Sequence, residues 1–188
     1  MTTLCEWTDR GGYTENQDAS LVLRLPGAIV YAVFDGHGRA HGQLASVTAA
    51  RSVGDSLRAA ASNGELRTRP AEALAAAFRG AHAQFLSAMH AAEPSCVMAG
   101  EVLLRPADPE DIAEGSPPWE ALDGGTTATV CVLLLDRHEL LVASVGDSSA
   151  MLVANAPGAA GAPSFQLAIA DHTPVNATER ARIAGELQ

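Results

Sequence analysis

Residues 33–42, VFDGHGRAHG, end an apolar run with an aspartate, a glycine, a histidine and a second glycine. Asp and Gly are poor strand residues, so Val33 and Phe34 read as the buried end of a strand and Asp35 as the start of a tight turn. Such a turn sets a carboxylate, a bare backbone carbonyl and an imidazole side by side. Asp18 in ENQDAS, Asp147 in SVGDSS and Asp171 in IADHTP also lie at or beside the ends of expected strands. Carboxylates that converge from strand ends repel one another unless a cation lies between them. Mg²⁺ or Mn²⁺ suits that arrangement, because hard ions prefer carboxylate, carbonyl and water oxygens. Gly36 would let a metal come close to its carbonyl. A plainer alternative stands beside this one. Taken singly, an aspartate after a strand is a turn former or helix cap, and a lone histidine such as His37 is more often a hydrogen-bonded turn residue than a catalyst. His82 and His90 fall in a helical stretch and are assigned to packing or solvent. Asp123-Gly124-Gly125 is assigned to a loop-to-strand turn.

The elements that must carry these residues follow from pattern. ASLVLRL (19–25) and AIVYAVF (28–34), separated by Pro26-Gly27, predict a β-hairpin. Residues 40–61 are alanine-rich and predict a helix, weakened in its middle by Gly54. A second helix is expected from Pro70, where Leu74, Phe78, Ala81 and Phe85 recur at helical spacing. Residues 93–125 hold five prolines and no sustained period, which reads as a long surface insertion. TTATVCVLLL (126–135), ELLVASV (139–145), SAMLVA (149–154) and FQLAIA (165–170) are consecutive strand candidates. NATERARIAGELQ then opens a helix, with Asn176 as cap and Glu179 completing a capping box. Strands, a helix pair, more strands and a helix favour an α+β domain, with helices against an antiparallel sheet or sandwich.

Bulk composition narrows the function classes. The 188 residues suit one domain, and 47% hydrophobic content with 4% aromatic residues implies an aliphatic, alanine-rich core. A net charge of −10 with twelve arginines and no lysine argues against nucleic-acid binding and fits a protein that holds cations. Cys5, Cys96 and Cys131 lack metal-ligand spacing and read as reduced thiols. The N-terminus lacks a signal-peptide pattern and no apolar run is long enough to span a membrane, so the expected address is cytoplasm or nucleus.

In order along the chain, NQD, VFDGHG, GGTTATVCVLL, LLVASVGDSSAML and DHTPVNATERARI resemble the PPM/PP2C family of metal-dependent serine/threonine protein phosphatases, from about residue 9 to the last residue. Gln17 stands where many members carry Glu. The resemblance implies a PP2C-like antiparallel β-sandwich flanked by helices. It also implies two Mg²⁺ or Mn²⁺ ions, with a third at a weaker site. A bridging water activated by the metals would attack phosphoserine or phosphothreonine in phosphorylated protein substrates. By the same resemblance Asp35 would bridge both metals and the Gly36 carbonyl would ligate one. Asp18 would act directly or through water, Asp147 would serve the weaker site, and His37 would protonate the leaving oxygen. Tyr13 stands where the family places a phosphate-gripping basic residue, leaving Arg10 or Arg39 to substitute, and Thr173 stands where Lys is usual.

The family's further ligand aspartates lie in a later segment. The chain therefore reads as one domain, 1–188, incomplete on its C-terminal side, with open sheet edges for a partner chain to cover. The alternative function is a pseudophosphatase or phosphoprotein-interaction module without turnover.

Overall fold

A computed structural model of the chain describes residues 6–11, 14–100, 102–108, 117–154, 164–167, 172–173 and 175–186. Cys5, Tyr13 and Asp171 lie outside the described residues, as does the end of the expected 165–170 strand.

The hairpin forms as its sequence predicts. Strands β1 (Ala19–Leu25) and β2 (Ala28–Phe34) pair antiparallel, Ala19 opposite Phe34 and Leu25 opposite Ala28. Gly27 supplies the positive φ of +74° that the two-residue turn requires. After a short β3 (Gly36–His37), the chain enters α1 (Gly42–Ser62), a single turn α2 (Glu65–Thr68) and α3 (Pro70–Ala92), which opens on proline in its first turn. Beyond a small intervening sheet come β7 (Gly125–Thr126), β8 (Ala128–Leu134), β9 (Glu139–Val145), the ribbon β10 (Met151–Ala154) with β11 (Ser164–Leu167), and α4 (Ala177–Glu186).

The main sheet has the order β1-β2-β8-β9, antiparallel throughout. Period-two alternation sends Leu23, Val30, Phe34, Val130, Val132 and Leu134 to one face, where they meet Ala49, Val53 and Leu57 of α1 and Ala73, Leu74 and Ala77 of α3. The helices bury an alanine stripe, so their backbones approach closely and few aromatics are needed. Gly54 is part of this contact. A Cβ there would lie 3.3 Å from Arg58 Nη1 and 3.4 Å from the Leu21 methyls, so the glycine lies directly against β1. The opposite sheet face is more open, with Val33 and Leu140 exposed. The class is α+β, and helices against an antiparallel sheet are the arrangement the element order predicts.

Residues 93–125, expected as a long surface insertion, hold regular structure of their own. They contain a three-stranded antiparallel sheet, β4 (Val97–Ala99), β5 (Val102–Pro106) and β6 (Trp119–Ala121), in the order β4-β5-β6. It has its own small core of Cys96, Leu103 and Leu122 against Met89 of α3. Strands of three to five residues are too short for an alternation to register, which is why the sequence pattern misses them.

At the C-terminal side, Asn176 caps α4. Its Oδ1 accepts from the Thr178 N–H at 2.9 Å and the Glu179 N–H at 3.4 Å. The Glu179 carboxylate bonds Arg182 through both oxygens, at 2.6 and 2.9 Å, in place of the reciprocal half of the expected capping box. No helix among the described residues is long and apolar enough to cross a membrane.

Candidate active site

Strand register explains why distant aspartates converge. Ala19 opposes Phe34, Val33 opposes Thr129, and Ala128 opposes Val145. Continuing each register outward by a step or two sets Asp18, Asp35, Thr127 and Gly146 in one row across the end of the sheet. Asp147 follows Gly146 directly. A row of this kind brings side chains within interaction range whatever their separation in sequence.

Thr127 ties the row together. Its Oγ1 accepts from the Asp35 N–H at 3.0 Å and shares a 2.6 Å hydrogen bond with the Ser148 hydroxyl, while its own N–H donates to the Asp35 carbonyl at 2.9 Å. Gly146, at φ +97°, packs so closely on this threonine that a Cβ would lie 2.7 Å from Thr127 Cγ2. The turns carrying Asp35 and Asp147 are thus held through one buried residue.

The Asp35 turn leads into β3, which pairs Gly36 with Thr126 and His37 with Gly125 of β7. Gly36 has no room for a side chain, because a Cβ would sit 2.2 Å from the Gln17 carbonyl oxygen and 2.3 Å from that of Gly42. The segment before Asp18 is fixed from the same side. Gln17 Nε2 donates to the Gly38 carbonyl at 2.8 Å, and the Ser46 hydroxyl donates to the Gln17 carbonyl at 2.5 Å. The Asp18 N–H donates to Asn16 Oδ1 at 3.0 Å, a local turn that presents the carboxylate at the strand entrance.

The result is an open cleft of about 760 Å³ lined by Asp18, Asp35, Gly36, His37, Arg10 and Arg39 among others. Although Asp35 keeps solvent contact, partial burial of its carboxyl raises its pKa above the ordinary value. The neighbouring Asp18, within hydrogen-bond reach, raises it further, as does the charge of Asp147; His37 opposes them. Crowded carboxylates whose charges disfavour one another are what a divalent cation relieves. Asp18, Asp35 and the buried Gly36 backbone offer carboxylate and carbonyl oxygens, the donor types a hard ion takes. Among the described residues no group of three or more Asp, Glu, His or Cys side chains gathers tightly enough to enclose a metal.

The two arginines reach the cleft by different routes. Arg10 Nη1 donates to the Thr14 carbonyl at 3.5 Å. The Arg39 backbone N–H donates to Asp123 Oδ2 at 3.1 Å. Asp123 also lines the cleft, so the segment expected to be a plain turn is part of the site wall. His82 and His90 are exposed on α3, outside the cleft. Sequence reasoning passes over Thr127 and His41 and assigns Asp123 to a plain turn, because the pairing of β2 with β8 and of β3 with β7 gathers them, and no local spacing encodes those pairings.

A comparison with curated proteins returned no match. The description of the protein phosphatase 2C family matches residues 14–186, nearly the whole chain. The chain belongs to the protein phosphatase 2C family, whose members are metal-dependent protein phosphatases.

Proposed function

We propose that the cleft at the end of the four-stranded sheet hydrolyses phosphoserine and phosphothreonine in protein substrates. The observation that carries this reading is the Asp18–Asp35 pair, two neighbouring carboxyls that together with partial burial push the Asp35 carboxyl up, in a cleft also lined by His37, Arg10 and Arg39. Asp35, the Gly36 carbonyl and Asp18 would hold Mg²⁺ or Mn²⁺, with Asp147 serving a further, weaker position. Bound there, such ions supply Lewis acidity and a water acidic enough to act as nucleophile near neutral pH.

The chain's own residues perform the rest. Arg10 and Arg39 line the same cleft and would offset the carboxylate charge that otherwise repels a phosphate dianion. His37 faces the same cleft and donates the proton to the departing serine or threonine oxygen, a task suited to imidazole at neutral pH. Its ring rests on Gly125, where a Cβ would come within 2.6 Å of Nε2, so the donor is held by packing.

A second reading, phosphoprotein binding without turnover, draws on one observation: among the described residues no third acidic, His or Cys side chain closes with the pair. Phosphate release from a phosphothreonine peptide separates the two. The phosphatase reading expects release with millimolar Mn²⁺ and none with a chelator. Mn²⁺-independent release refutes it, and peptide binding without release selects the second reading.

A further inference from the structure

His41 is a histidine inside the protein, 6% exposed, at the entrance of α1. Its Nδ1 donates to the Asp123 carbonyl at 3.3 Å, and its Nε2 faces a Glu93 carboxylate oxygen at 3.6 Å. Its backbone carbonyl accepts from the Ala45 N–H at 2.9 Å, so the residue is fixed to the first turn of α1. One imidazole therefore joins three pieces of chain: the helix entrance, the end of α3 and the loop that precedes β7.

That loop reaches the reacting end of the site through glycine contacts that leave no slack. Gly124, at φ +155°, would place a Cβ 2.7 Å from His41 Cβ and 3.2 Å from Met89 Cε. Gly38, at φ +112°, would place one 2.7 Å from Gly124 Cα. Gly125 carries the His37 ring against its backbone. The Asp123 side chain meanwhile accepts from the Arg39 N–H, so the loop is gripped from both sides. Backbones in such close contact transmit displacement: if Asp123–Gly125 moves, the surface beneath His37 moves with it.

We propose that His41 is a positioning residue for His37. By donating to the Asp123 carbonyl it fixes the Asp123–Gly125 loop, and that loop sets where the His37 imidazole stands in the cleft. The inference rests on the assignment of His37 as proton donor for its functional meaning, and its test reads placement independently of turnover.

His41→Phe keeps a ring of similar size and removes the donor, whereas His41→Asn keeps a donor near the Nδ1 position. Both are compared with wild type by the imidazole signals of His37 and the amide signal of Gly125 in metal-free protein. Unfolding midpoints are recorded alongside. His41→Phe is expected to displace the His37 and Gly125 signals by several linewidths, and His41→Asn to return them toward wild type. Where Mn²⁺-dependent turnover is measurable, kcat of His41→Phe falls by about tenfold with KM held. Unmoved His37 and Gly125 signals in folded His41→Phe overturn the inference, whatever the loss of stability. If the Phe variant does not fold, His41→Gln, whose amide lies nearer Nε2 than Nδ1, takes its place. Displaced His37 signals then support the clamp and wild-type signals overturn it. A wild-type chain that hydrolyses nothing defeats the phosphatase assignment and leaves this result standing.

Discussion

Replacing Thr127 by valine removes one hydroxyl from the row of residues that builds the site, with almost no change of shape. Of the hydrogen bonds that meet at this residue, two use the hydroxyl: it accepts from the Asp35 N–H at 3.0 Å and is the partner of Ser148 at 2.6 Å. The backbone bond from Thr127 N–H to the Asp35 carbonyl survives. Thr127 is 8% exposed, so water cannot readily take over the lost partner. An unsatisfied buried donor costs on the order of 1–3 kcal/mol. With Ser148 only half-buried and able to find solvent, the net expectation stays at about 1–3 kcal/mol. For a chain of this length that corresponds to roughly 2–12 °C in Tm. Thr127→Ser, which keeps the oxygen, is expected to lose about 1 kcal/mol or less, chiefly from its missing methyl against Gly146. Urea denaturation of wild type and both variants measures the difference. Thr127→Val within about 0.5 kcal/mol of wild type, or no more destabilised than Thr127→Ser, would refute the idea that this hydroxyl holds the two turns.

Three further expectations come from the same geometry. Gly36→Ala forces a methyl to within 2.3 Å of two carbonyl oxygens. Because both are backbone, the turn itself must move, and a loss of about 3 kcal/mol or more is expected in chemical denaturation. Glu179 is held below the ordinary carboxylate value first by its hydrogen bond to Arg182 and then by the charges of Arg182 and His172. Its contribution is therefore present above pH 4.5 and is lost as pH falls through the lower folded value. The gap in unfolding midpoint between wild type and Glu179→Gln should shrink on acidification below pH 4.5; a gap independent of pH contradicts the assignment. Arg10→Ala should raise KM for a phosphorylated substrate with little change in kcat, and an unchanged KM removes Arg10 from phosphate binding.

The hairpin, both long helices and the strand limits of β9 were legible because each is long enough to express its period, and because Pro26-Gly27 and Pro70 punctuate them. The strand-end aspartates were legible as candidates for the same reason: turn residues after apolar runs mark where side chains leave the sheet. What sequence could not express was lateral order. Asp35 and Thr127 are neighbours only because β2 lies beside β8, a pairing across 92 positions that no local pattern encodes. Asp123 and His41 escaped for a related reason. Asp123 reads as a turn residue and His41 as part of a helix until β3 and β7 pair and bring their glycines into contact. Gly54 shows the converse, a residue scored as a weakness by helix propensity that lies directly against β1. The small sheet within 93–125 was hidden by the shortness of its strands.

The central claim is that the Asp18–Asp35 pair is a divalent-cation site. Electron paramagnetic resonance of Mn²⁺ tests it directly, since the sharp signal of the free ion disappears on binding, with or without catalysis. Wild-type protein is expected to quench that signal saturably, and Asp35→Asn to weaken binding by at least about tenfold, since it removes a charged oxygen ligand from the site. Equal Mn²⁺ binding by wild type and a folded Asp35→Asn would contradict the claim.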